Sequence, residues 1–125
     1  MVSGAITLET RFLSSSLGPD VAVLYVEGEL DLHAAPQLEE EIAPLVESRP
    51  PPNLVVDLSS VTLLDSAALR FLLSAARTLA EANRLLVLVT GDPSLRRRLQ
   101  VSGFEHVFPV EQGLPEPTAC VSAID

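Results

Sequence analysis

The sequence predicts an α/β domain: a mixed β-sheet that opens with an N-terminal antiparallel hairpin and continues in β-α-β units, with helices packed on the sheet. Three observations predict it. Apolar residues first alternate in twos and later recur at threes and fours, the periods of strand and helix. Breaker clusters separate the periodic segments, as at Gly18-Pro19-Asp20, Pro50-Pro51-Pro52 and Gly91-Asp92-Pro93. Leu85 to Val89 is an uninterrupted apolar run, which marks a parallel strand covered on both faces.

The elements follow in order. From Ala5 to Leu13, Ile6, Leu8 and Phe12 alternate with Thr7, Glu9 and Arg11, a half-exposed strand near a sheet edge. The Ser-rich turn ending at Asp20 sends the chain back into a second strand, Val21 to Gly28, to complete the hairpin. Ala35, Leu38, Ile42, Leu45 and Val46 then recur at helical spacing, with Glu39, Glu40 and Glu41 on the outer face. Pro36 suits a first turn, whereas Pro44 is expected to bend or fray the helix end. Asn53 to Leu58 reads as a short strand followed by a loop, and Ser66 to Arg84 as a helix with Asp65 as its N-cap. A third helix starts after Pro93, buries Leu95 and Leu99, and stops at Gly103-Phe104 in a left-handed cap with a hydrophobic contact. His106 to Val110 is the last strand. The three strand-helix-strand units require right-handed crossovers and parallel pairing after the hairpin.

A chain of 125 residues is one domain long and buries well over half of its unfolded surface. Residues 1–125 are therefore expected to form a single domain with a core over about residues 5–110. Gly113, Pro115 and Pro117 point to an irregular tail over 111–125.

The net charge of −9 gives the surface the wrong sign for nucleic acid or anionic lipid. All eight basic residues are Arg, so chemistry that needs a lysine amine is excluded. The lone Cys120 has no thiol partner for a disulfide or a Cys-based metal site, which fits a reducing compartment. No apolar run approaches the roughly 20 residues of a membrane span, and neither end has a targeting segment, so the expectation is a cytoplasmic protein. No cofactor is expected, since there is no Gly-rich phosphate loop.

The informative stretch runs Val55-Val56-Asp57-Leu58-Ser59-Ser60-Val61-Thr62-Leu63-Leu64-Asp65-Ser66-Ala67-Ala68-Leu69. It resembles the STAS domain of bacterial anti-sigma factor antagonists, where a strand ending Asp-Leu-Ser is followed by Asp-Ser, two small residues and Leu. Gly28-Glu29-Leu30-Asp31 and the segment from Leu95-Arg96-Arg97-Arg98-Leu99 through Gly103-Phe104 to Phe108-Pro109-Val110 are similar to the same family. The resemblance covers about Val21 to Val110. It implies a partner, an anti-sigma factor that is also a serine kinase, with Ser66 as phosphoacceptor and a serine phosphatase restoring the free hydroxyl. Asp31, Asp65, Ser66, Ala67, Ala68 and Arg70 are then the partner-binding candidates. The chain departs from the family pattern where Ser or Thr and then Gly usually follow the acceptor, because it carries Ala67 and Ala68, and in having Arg70 where a small residue is usual.

The residues themselves support a switch at this position, because a helix N-terminus offers free N–H donors and a positive dipole end to an added phosphate. Two other readings fit Ser66: one implied by the same resemblance, an unmodified adaptor subunit of a transport or stress-signalling assembly in which its hydroxyl only helps satisfy first-turn amides, and a small-ligand or nucleotide sensor that uses the helix start as an anion site. Asp31 is either a rim contact or a turn cap. Asp57 stands where a receiver domain keeps its phosphoacceptor, but the absence of lysine favours a structural role with hydrogen bonds from the adjoining loop. Arg96 to Arg98 read as a solvated face. His33 and His106 read as surface or strand-end residues rather than metal ligands. A catalytic triad of Ser66, His106 and Asp57 lacks the Gly-x-Ser-x-Gly turn, and no enzyme activity is expected.

Overall fold

A computed structural model describes residues 6–13, 19–104 and 106–108. Ala5, the Ser-rich turn, Pro109, Val110, Cys120 and the tail over 111–125 lie outside the described residues, so the readings made for them stand as expectations.

The elements are β1 (Thr7–Leu13), β2 (Val21–Leu30), α1 (Ala35–Glu47), β3 (Asn53–Leu64), α2 (Ser66–Glu81), β4 (Leu86–Val89), α3 (Pro93–Val101) and β5 (Val107–Phe108). They form one five-stranded sheet in the order β1-β2-β3-β4-β5. β1 and β2 pair antiparallel, with β1 at the edge. The remaining neighbours pair parallel. The mixed sheet and the opening hairpin match the sequence reading.

Because each crossover advances one strand in the same direction, right-handed connections put all three helices on one face of the sheet. The buried residues agree. Leu38 and Ile42 of α1, Leu72 and Leu79 of α2 and Leu99 of α3 share one cluster with Leu24, Leu54, Val56 and Leu88 of the strands. The alternate strand residues Val21, Val23, Val55, Val87 and Val89 form a second buried cluster, as the period of two requires. β4 contributes to both clusters, which is why its sequence is apolar throughout.

The main differences from expectation lie at β3 and α2, while β4 and β5 each start one residue later than expected. β3 does not end at Leu58; it continues to Leu64, and β2 continues to Leu30. Beyond Asp57 β3 no longer pairs with β4, so Ser60 to Leu64 runs on as a ribbon with β2 alone. One side of that ribbon is open, which allows the polar residues that read as a loop. Two register shifts and Gly28, at φ +116°, accommodate the extension.

The second difference is α2, which stops at Glu81 rather than Arg84. Asn83 adopts φ +59°, and the Asn83 and Arg84 amides donate to Ala80 and Leu79 carbonyls at 3.0 and 2.8 Å. This is the same closing turn that Gly103 gives α3, where Phe104 N–H donates to Leu99 O at 3.2 Å and both side chains are buried. Asparagine tolerates the left-handed conformation less visibly than glycine does, so the stop was missed. α1 carries Pro36 in its first turn and runs through Pro44 to Glu47, in keeping with the apolar spacing to Val46.

Candidate functional site at the carboxyl rim of β2 and β3

The parallel register sets Leu30 opposite Leu64. The next residue of each strand is an aspartate, Asp31 on one and Asp65 on the other, so both emerge at the same rim of the sheet. Asp65 N–H donates to Leu30 O at 2.7 Å, which locks the two strand exits together.

Each aspartate then turns its chain into a helix. Asp31 Oδ1 accepts from Ala34 N–H at 2.9 Å and its carbonyl accepts from the Ala34 and Ala35 amides, so its role as a turn cap is realised. Asp65 is the N-cap of α2, accepting from Ala67 N–H at 2.8 Å through Oδ1 and from Leu69 N–H at 3.0 Å through its carbonyl. Ser66 follows as the first residue of the helix and is exposed. Its hydroxyl donates to Asp65 Oδ1 across 3.4 Å, a bond at the weak limit that leaves the oxygen available.

The remaining candidates divide. Arg70 is exposed one turn along α2, and Ala67 is half-buried. Ala68 is 0% exposed and packs in the main core, so it cannot meet a partner and its expected place on the contact surface is corrected. The reason is helical geometry. With Ser66 facing out, a residue two positions on turns about 200° towards the sheet, and only a small side chain fits there.

Several residues of the rim escaped the sequence reading. Leu32 and Leu63 are 62% and 48% exposed, and they flank the Asp31 and Asp65 turns as uncovered apolar side chains. Neither falls in a helical or buried-strand pattern, which was the available signal. Arg98 is not merely part of a solvated face, since its Nη1 donates to Leu64 O at 2.7 Å and ties α3 to the strand exit that feeds Asp65. A surface hollow of about 250 Å³ lies between these elements, lined by Thr62, Leu63, Asp92, Ser94 and Arg98 among others.

Asp57 sits away from the rim contacts, accepting from Ser59 N–H at 2.9 Å and from the Ser59 hydroxyl, in line with its structural reading. Neither it nor Ser66 bonds to His106, so the three do not assemble a triad. His33 is exposed and His106 half-buried at the entry to β5. No group of His, Cys, Asp and Glu among the described residues is arranged to hold a metal ion, and no described helix is long and apolar enough to cross a membrane.

An α/β sheet with its helices on one face thus presents an exposed serine at a helix start, rimmed by acids and uncovered leucines. The STAS domain family model matches residues 17–116, and the chain belongs to that family. The anti-sigma-F factor antagonist RsfB of Mycobacterium tuberculosis is 35% identical over 88 residues, which is 70% of each chain. The solved structure of an anti-sigma factor antagonist from Mycobacterium paratuberculosis superposes with a TM-score of 0.70 at 29% identity, covering 98% of both chains. The Bacillus cell fate determinant SpoIIAA in its phosphorylated form shares the fold, with a TM-score of 0.67 at 19% identity over 97% of this chain and 100% of that one.

Proposed function

We propose that this chain is an anti-sigma factor antagonist: it binds an anti-sigma factor with serine kinase activity through the β2/β3 rim and is released when Ser66 is phosphorylated. Binding frees a sigma factor, so the output is sigma-dependent transcription without DNA contact, and the site of action is the cytoplasm. The observation that carries this reading is the exposed Ser66 hydroxyl at the first position of α2, flanked by Asp65 and by uncovered Leu32 and Leu63. The names of its relatives point the same way.

The chemistry is a phosphoryl transfer for which this domain supplies only the nucleophile. The γ-phosphoryl group of ATP passes to Ser66 Oγ, the hydroxyl proton leaves to a base on the kinase, and ADP departs. The product carries about −1.5 to −2 charge at a rim where Asp31 and Asp65 are already negative. A partner that covers Leu32 and Leu63 would have to desolvate that dianion against apolar surface, which costs more than the contact returns. No large movement is required for release.

The test incubates the protein with each histidine-kinase-like ATPase of its host and ATP, then maps the modified residue by intact mass and peptide sequencing. A single phosphate on Ser66, with loss of binding to the same ATPase, is expected. Equal binding by the unmodified, Ser66→Ala and Ser66→Asp proteins would instead establish an adaptor that needs no phosphate cycle.

A further inference from the structure

Resting on the reading of Ser66 as phosphoacceptor, we propose that Arg70 closes on the phosphate and holds the modified state as a pair along one face of α2. Ser66 and Arg70 are four residues apart in the same helix and both are exposed. That spacing sets side chains one above the other, with Cβ atoms about 5–6 Å apart. Long helical side chains also lean towards the N-terminus, so the guanidinium of Arg70 is biased towards Ser66.

Three other arginines are committed. Arg11 pairs with Glu9, Arg84 holds Pro51 O at 2.8 Å, and Arg98 holds Leu64 O at 2.7 Å. Arg70 makes no hydrogen bond or ion pair among the described residues. Around the acceptor the other fixed charges are unfavourable: Asp65 is adjacent and already takes the Ala67 amide, and Asp31 lies at the neighbouring strand exit. A phosphate on Ser66 therefore meets two carboxylates and one uncommitted cation within reach, and a guanidinium offers the planar fork that phosphate oxygens accept in pairs. The pair offsets part of the added charge. Release then depends on the phosphate filling the contact surface and on Arg70 turning away from the partner, and not on net charge alone.

The experiment installs phosphoserine at position 66 of the full chain during translation, so no kinase is involved, and follows its second ionisation by phosphorus NMR. Because Arg70 favours the dianion, the wild-type phosphate should titrate about 0.15–0.4 unit below that of the Arg70→Gln protein. Arg70→Lys should recover part of the shift. Arg77→Gln removes the same charge seven residues further along, about 10 Å down the helix axis, and should leave the titration at the wild-type value. Identical titration of the wild-type and Arg70→Gln proteins overturns the pair. A shift that Arg77→Gln reproduces overturns it equally, by assigning the effect to net charge. Whether a kinase marks Ser66 is decided separately, by the peptide mapping above.

Discussion

α2 and α3 begin in nearly the same way and differ in what surrounds the start. Each follows a parallel strand, and each is capped by an aspartate whose Oδ1 accepts from the second helical amide, Asp65 from Ala67 at 2.8 Å and Asp92 from Ser94 at 2.9 Å. At α3 the first residue is Pro93, and the cap is steadied locally, with Asp92 N–H donating to Thr90 Oγ1 at 3.2 Å. At α2 the first residue is Ser66, and the cap is steadied from the neighbouring strand through Leu30 O. An Asp cap with a serine in the first turn is thus common to both helices and cannot by itself mark a switch. What distinguishes α2 is that its start is rigidly joined to a second loop, so a group added there alters a surface built from two strand exits.

The largest effect that separates the two starts should come from charge at the hydroxyl. Ser66→Asp should weaken binding to the anti-sigma partner by about 100-fold, roughly 3 kcal/mol, while Ser94→Asp, at an exposed first-turn position in the lining of the hollow beside Leu63, should weaken it by less than about 10-fold. Calorimetry on both variants checks this, and equal losses would mean the partner reads charge over the whole rim and hollow rather than at Ser66. A smaller effect is expected from the caps. Asp65→Ala and Asp92→Ala should each cost about 1 kcal/mol in denaturant unfolding, and Asp65→Ala should loosen the partner complex more, because that cap orients Ser66.

The two starts also show what the sequence could disclose. The Asp65 cap, the Ser66 helix start, the edge hairpin and the doubly covered β4 were legible because each depends on local chemistry or on a short period. The rim was not. Its central feature, the register that sets Leu30 opposite Leu64, arises from register shifts around Gly28 and from β3 outrunning β4, and those are pairings between distant segments. Ser59-Ser60-Val61-Thr62 reads as a loop because a strand paired on one side only is under little demand to be apolar. The same limit hid Leu32 and Leu63, whose exposure is a property of the assembled edge, and the burial of Ala68, which follows from where α2 rests on the sheet.

Arg98 offers the subtlest way to sharpen the comparison, because it is the one described side chain of α3 that hydrogen-bonds the strand leading into α2. Its sequence neighbours Arg96 and Arg97 make no comparable bond among the described residues. Truncation to Ala removes a charge-assisted bond to a carbonyl at a partly open site, so Arg98→Ala should cost about 0.5–1.5 kcal/mol, against less than about 0.5 for Arg97→Ala. The bond fixes Leu64, one residue before the cap, so its loss should also raise amide exchange at Asp65 and Ser66 while leaving Asp92 and Ser94 unchanged. Hydrogen exchange resolved by residue reads both pairs at once. Faster exchange at both helix starts would show that Arg98 steadies α3 itself, and the two starts would then be a single unit rather than one anchored to its neighbour and one standing alone.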